Sequence, residues 1–251
     1  MVFDNLRQIL DGNVYMGMAT WLRDHYYHYP EFWFVDQLMR GVDHVHYHHE
    51  GDVWEHTLLV IKNMSKQQHD YVDMLCALLH DIGKKDALEL NNGKNMHGHE
   101  ILGVPIALQW MERMGVPADV VDDVCWVIRN HTKANDLVNM KSKYDCWKFV
   151  NAPLFYRARR LAVADALGTL DENMMPKMDY EAELAKSVAG TCMRLPMPEP
   201  IVTTDDLAEY GVDDVGTVLC MCHKIQINGG LTVKKSIIKN AIRNLKQRKK
   251  P

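Results

Sequence analysis

The 251-residue sequence contains no apolar run approaching the ~20 residues that a membrane-crossing helix needs, so no membrane partner is expected. Met1 to Leu10 carries Asp4 and Arg7 among scattered apolar residues and lacks the core of a signal peptide. The six cysteines (76, 125, 146, 192, 220 and 222) show no Cys-x-x-Cys spacing, and Cys76 and Cys125 fall inside apolar helical patterns. They read as reduced, mostly buried thiols rather than a disulfide framework, which predicts a cytoplasmic protein. Acids are missing from Leu231 to Pro251, where there are eight Lys or Arg, leaving 21 basic against 33 acidic residues in the body. Hydrophobic (47%) and charged (25%) contents are ordinary for a globular protein. A chain of this length holds one large domain, or a core domain with a smaller appendage. What it has in excess is histidine, thirteen in all.

The chain is organised around His80-Asp81-Ile82-Gly83-Lys84. Before it, Tyr71, Val72, Met74, Leu75, Leu78 and Leu79 recur at the spacing of a buried helix. Such a helix has little reason to end in an adjacent His and Asp, since burying either unpaired is costly. A divalent ion resolves the conflict, because imidazole nitrogen and carboxylate oxygen are both ligands for one. Gly83 is expected to end the helix, and Lys84 to place a cation beside the site. A capping Asp next to a surface His gives the same pair, so further ligands are needed.

Helical patterns are predicted over residues 3–24 and from Glu31 to Arg40. A His-rich loop from Gly41 to Gly51 follows, and His44, His46, His48 and His49 read as loop residues. Asp52 is a plausible N-cap for a helix through Ile61, on which His56, Val60 and Asn63 share an inward face at i, i+4 and i+7. A lone inward His is more often a satisfied core residue; a nearby His-Asp pair favours a ligand. Lys85 to Asn95 reads as a turn-rich loop. A helix opens at His97-Gly98-His99 and runs to Met114, with Pro105 a possible kink. Another starts at Pro117 and finishes at His131-Thr132. Pro153 begins a long helix in which Asp165 sits among Leu161, Ala162, Val163, Ala164, Ala166 and Leu167, where a carboxylate needs a cation or backbone donors. Asp171 to Pro200 contains at most one helix, near Tyr180 to Ala189.

His56, His80-Asp81 and Asp165, on successive helices, resemble the H…HD…D pattern of the HD-domain phosphohydrolases, and His80 to Lys84 looks like its HDIG form. His99 in Gly98-His99-Glu100 and His131 in Arg129-Asn130-His131 look like the two further histidines of members that hold a second metal. His48-His49-Glu50-Gly51-Asp52-Val53-Trp54-Glu55-His56-Thr57-Leu58 is very similar to the opening of the HD domain in bacterial CCA-adding tRNA nucleotidyltransferases. Thr204 to Lys246 looks like their C-terminal helical tail, with Val212-Asp213-Asp214 in place of the usual Pro-Gly-Pro. The likeness does not include the nucleotidyltransferase head with its Gly-Ser loop and paired Asp, so hydrolysis is expected and nucleotide addition is not.

The resemblance implies an all-α HD-domain helical bundle with a small C-terminal helical appendage. Residues 1–50 are expected to pack on the core, 51–175 to form the metal-binding domain, and 176–251 to supply linker, appendage and basic tail. It also implies one or two divalent ions (Mn, Ni, Co, Mg, Zn or Fe) held by His56, His80, Asp81, His99, His131 and Asp165. Asp81 and Lys84 would be catalytic: the ion lowers the pKa of a water ligand, and Lys84 offsets charge on phosphoryl oxygens. The substrate is expected to be a nucleotide or RNA end, with 2′,3′-cyclic phosphodiesterase or phosphatase activity. Two other classes fit some of the same features: an RNA-binding module with a structural metal site, and a diiron oxygenase. In the tail, Lys234, Lys235, Lys239, Arg243 and Lys246 are expected to form a basic stripe within residues 234–250, with Ile237, Ile238, Ile242 and Leu245 packing inward; RNA is the partner such a stripe suits.

Overall fold

The structure, a computed structural model, describes residues 7, 30–44, 48–176 and 197–248. The helices expected within residues 3–24 and 180–189 lie outside the described residues, apart from Arg7. Regular structure among the described residues is helical throughout, with two isolated bridges, Asp43 to Asp52 and Leu170 to Pro176, and no strand. The all-α expectation holds. The chain divides into two compact units, residues 1–138 with 153–184, and residues 139–152 with 185–251.

In the first unit, α1 (Pro30–Met39) packs on α2 (Val53–Met64), which lies against α3 (Tyr71–Leu79). Asp52 caps α2, accepting from the Glu55 amide at 2.9 Å, and its other oxygen takes the Gly41 amide at 2.7 Å. Asp70 forms a capping box with Asp73 at the start of α3. Both carboxylates also receive Arg157 Nη1, at 2.7 and 2.8 Å, which ties α3 to α8 (Phe155–Gly168). Helix α8 packs across α2, α3 and α6 (Ala118–Asn135), while α5 (His99–Met114) pairs with α6. Ile61, Met64, Met74, Leu75, Leu78 and Trp110 fill the centre, almost wholly buried. Each such side chain contributes roughly 1.5–3 kcal/mol of apolar burial.

Around the organising motif the structure corrects the expectation. Helix α3 ends at Leu79, His80 is its C-cap, and residues 81–83 turn directly into α4 (Lys84–Leu90), for which Gly83 is the N-cap. The segment read as a loop from Lys85 is therefore helical to Leu90. Only Lys84 and Ala87 of α4 are buried, so it carries no apolar periodicity; contact with α5 shapes it. Helix α5 runs unbroken through Pro105, which gives up one backbone hydrogen bond to the preceding turn. Helix α6 continues past His131 to Asn135, one more turn than the sequence suggested.

The second unit contains α7 (Lys143–Val150), α9 (Thr204–Leu207), α10 (Val215–Gly229) and α11 (Lys234–Arg248). Val202, Leu207, Val218, Cys222, Ile237 and Ile238 form its core, with Ile242 and Leu245 partly buried against it. Asn228 of α10 accepts from the Tyr144 amide at 3.0 Å, and Lys224 pairs with Asp145, so α7 belongs to this core.

Candidate metal centre

All six candidate ligands come from the first unit. His56 lies on α2, His80 and Asp81 follow α3, His99 opens α5, His131 is near the end of α6, and Asp165 is on α8. His56 and His80 are completely buried, and Asp81 and His131 are 2% exposed.

The four imidazoles share one orientation. His80 Nδ1 donates to the Ala77 carbonyl at 2.9 Å, His99 Nδ1 to Met96 at 2.9 Å, and His131 Nδ1 to Ile128 at 2.7 Å. Each uses the carbonyl three residues back, and since a carbonyl only accepts, each Nδ1 carries the proton. His56 Nδ1 instead donates to Glu50 Oε1 at 2.8 Å. In the neutral ring every Nε2 is therefore a lone pair, and all four point toward Asp81.

Asp81 stands between two groups of nitrogens. Its Oδ2 is 3.1 Å from His80 Nε2 and 3.8 Å from His56 Nε2; its Oδ1 is 3.2 Å from His99 Nε2 and 3.9 Å from His131 Nε2. The donor atoms of His56, His80 and Asp81 lie within 4.8 Å of one another, as do those of Asp81, His99 and His131. Asp165 Oδ1 is 3.0 Å from His56 Nε2, outside the first of those compact sets, and its Oδ2 accepts from Asn135 Nδ2 at 2.6 Å. Lys84 Nζ is 2.7 Å from Asp81 Oδ2 and 3.4 Å from His44 Nδ1.

This donor set fits a cation. His80 Nε2 is buried with no hydrogen bond, and Asp81 Oδ2 has none of good geometry despite the Lys84 charge beside it. His99 Nε2 and His131 Nε2 face each other at 3.0 Å, two lone pairs that only a proton or a metal can reconcile. Burial opposes charge on His56, but its bonds to Asp165 and Glu50 outweigh this and raise its pKa to about 9. Burial likewise opposes charge on His99, and Asp81 still raises it. His131 is held neutral, lowered to about 3 by burial and by the neighbouring His80 and His99. Asp81 and Asp165 resist protonation although burial works against them, because His80 and Lys84 flank the first and His56 bonds the second. A compact, buried cluster of imidazoles and carboxylates suits a divalent ion.

Four residues around this cluster were not picked out from sequence. Glu50 is held by His56, His48 and the Leu170 amide, and these bonds keep its carboxyl well below the usual range although burial pushes it up. His44 stacks on His48 with ring centres 3.6 Å apart, and burial and Lys84 lower it to about 2. Asn135 orients Asp165. Glu50 had a readable signal, an acid two residues before the N-cap Asp52 across Gly51; His44, His48 and Asn135 had none beyond composition.

Residues 53–170 match the family model of the HD domain. That segment holds all six candidate ligands, so this part of the chain is similar to the HD domain of metal-dependent phosphohydrolases. Among curated proteins it is similar to multifunctional CCA proteins. That of Shewanella denitrificans is 33% identical over 110 residues, 41% of this chain and 26% of the relative. Those of Alkalilimnicola ehrlichii and Actinobacillus pleuropneumoniae serotype 5b are 29% and 32% identical over 169 and 174 residues, covering 64% and 63% of this chain and 40% and 39% of theirs. The chain thus spans between 26% and 40% of the length of these relatives. No solved structure gives a significant match. No described helix is long and apolar enough to cross a membrane.

Proposed function

We propose that the chain hydrolyses phosphate esters of nucleotides or RNA ends, with 2′,3′-cyclic phosphates the favoured class, using one or two divalent ions held by His56, His80, Asp81, His99, His131 and Asp165. The observation that carries this reading is Asp81, whose two oxygens face separate sets of inward-turned imidazoles. A divalent ion bound there supplies an activated water and a positive charge for phosphoryl oxygens. Asp81 orients that charge, and His80, His99 and His131 offer Nε2 because backbone carbonyls hold their Nδ1 protons. Lys84, 9% exposed and anchored on Asp81, is placed to offset charge on a phosphoryl oxygen of the substrate.

The class of substrate draws on two supports. One is the similarity to the CCA proteins. The other is a cleft in the second unit lined by Tyr210, Lys239, Ile242, Arg243, Lys246 and Gln247, where three cations of the tail share a surface with an aromatic ring. That combination suits a nucleic-acid backbone and base. Lys234 is not part of it, because Asp206 binds its ammonium at 2.8 and 2.9 Å.

The test is a panel of esters on metal-stripped protein with Mn, Ni, Co, Mg, Zn or Fe added back singly: bis(p-nitrophenyl) phosphate, 5′-mononucleotides, 2′,3′-cyclic AMP and RNA with a 2′,3′-cyclic end. Ion-dependent turnover, fastest on the cyclic esters, is expected. No turnover of any ester with any ion refutes the proposal. RNA binding without turnover marks a binding module, and iron-dependent oxygen uptake marks an oxygenase.

A further inference from the structure

We propose that Glu50 is a positioning residue that makes the ion position of His56, His80 and Asp81 tighter than the position of Asp81, His99 and His131. This rests on the metal-centre reading above and assigns an unequal affinity to its two halves.

Glu50 reaches His56 through a local device. Gly51 adopts φ +123°, a conformation that side chains disfavour, and a Cβ there would press on Glu55 at 3.2 Å. The chain thereby reverses just before Asp52 caps α2 and sends the Glu50 carboxylate back across the first turn to His56. Both side chains are 0% exposed. Oε1 accepts from His56 Nδ1 at 2.8 Å and from His48 Nδ1, while Oε2 accepts the Leu170 amide at 3.0 Å, just beyond the end of α8. Three donors converge on one acceptor-only group, so its orientation is fixed from three directions.

His56 is thus the exception among the four imidazoles. The rings of His80, His99 and His131 rest on neutral carbonyls; that of His56 rests on a carboxylate. An anionic acceptor holds the Nδ1 proton more strongly, adds electron density to Nε2 and makes that nitrogen a better ligand for a cation. His56 Nε2 faces Asp81 Oδ2 and Asp165 Oδ1, the half of the centre that also has the extra carboxylate. The other half has His99 and His131, both set by carbonyls, and shares only Asp81. Lys84 Nζ lies 2.7 Å from Asp81 Oδ2 on this side, but Asp165 and Glu50 outnumber it, so net negative charge and ligand basicity both favour the His56 side.

Co2+ added to the metal-free full chain tests this by calorimetry and by the visible spectrum of the bound ion. Two binding steps at least tenfold apart are expected for the wild type. His99→Ala should delete the weaker step and spare the tighter one. Glu50→Gln should weaken the tighter step by about 10–100-fold, the range for loss of such a partner, and leave the weaker step within about twofold. The substitution is nearly isosteric, but it removes the charge behind His56 and its amide nitrogen cannot accept, so at least one of the three donors is left facing a donor. Loss of the tighter step in His99→Ala, equal affinities in the wild type, or an unchanged tighter step in Glu50→Gln would each overturn the proposal. So would equal weakening of both steps in Glu50→Gln, which marks a purely structural carboxylate. The His99→Ala comparison retains native Glu50 and decides the order of the sites even if Glu50→Gln does not fold. A wild-type chain that binds no Co2+ overturns the metal-centre reading itself, a result distinct from all of these.

Discussion

Replacing Gly83 by Ala should damage both the fold and the half of the site containing His99. At Gly83 the backbone has φ −88° and ψ 0°, which any L-residue adopts, so conformational strain plays no part. Space does. A Cβ would stand 2.4 Å from Gly103 N, 2.4 Å from His99 O and 2.8 Å from Gly103 Cα, all backbone atoms of α5 that no rotamer change can move. Restoring ordinary contact at about 3.4 Å requires α4 and α5 to separate by about 1 Å. Overpacking of this kind typically costs ~1–3 kcal/mol. The smaller conformational freedom of Ala in the unfolded chain returns ~0.4–1 kcal/mol. A net loss of about 1–2 kcal/mol should lower the melting midpoint by roughly 2–8 °C for a chain this size. Gly103→Ala is the internal control, since its Cβ would meet Gly83 N at 3.2 Å and Ile82 Cγ2 at 3.4 Å, and should cost less. Because the crowded carbonyl belongs to His99, Gly83→Ala should also weaken the second Co2+ step more than the first. Thermal unfolding of both variants, with Co2+ titration of Gly83→Ala, checks this. A Gly83→Ala protein at least as stable as Gly103→Ala would refute the close-approach reasoning.

Asp81→Ala should lose bound metal and ester hydrolysis together, measured by elemental analysis and turnover; hydrolysis surviving in a metal-free variant would end the proposed mechanism. Asp70→Asn keeps a side chain able to cap α3 but removes the charge facing Arg157, so at neutral pH it should destabilise by about 1 kcal/mol in urea unfolding. Burial raises the Asp70 pKa, but the Arg157 bond and the helix amides outweigh it and lower the group overall, so its contribution is present above the ordinary carboxylate value and lost as pH falls through the depressed one. The gap between wild type and Asp70→Asn should therefore close in acid; a gap that widens there contradicts the assignment. Replacing Lys239, Arg243 and Lys246 together by Ala should flatten the dependence of log affinity for single-stranded RNA on log salt by about 2, as three phosphate contacts at ~0.7 each imply. Turnover of 2′,3′-cyclic AMP should be untouched, and an unchanged salt slope would make the basic surface a solvated face.

What the sequence made legible followed from local rules. Apolar periodicity located α2, α3, α5, α6 and α8, because each buries one face against a neighbour, and Asp52 was recognisable as a cap because capping chemistry is confined to one turn. His56 was expected to face inward and is fully buried, since a face is set by spacing within a single helix. Helix α4 was not legible: with only Lys84 and Ala87 buried it has no periodic signal, and its position comes from two glycine backbones meeting, a tertiary fact. The added turn of α6 was hidden for the same reason. Asn130, Lys133 and Asn135 look like a helix ending, yet the turn persists and Asn135 reaches Asp165, thirty residues on.

The electrostatic design of the centre was the least legible part, and its logic is nevertheless local. His80 caps the end of α3, His99 opens α5 and His131 lies in α6 four residues before its end, and each Nδ1 reaches the carbonyl three residues back. Backbone geometry alone then turns Nε2 inward, and no partner side chain has to be encoded. His56 lies in the first turn of α2, and its Nδ1 turns not to a backbone carbonyl but to a side-chain acceptor from outside the helix. Glu50 fills that role, and only Gly51 lets it do so from six residues away. The two halves of the centre differ in charge because Glu50 and Asp165 both bond His56, while His99 and His131 rest on backbone carbonyls.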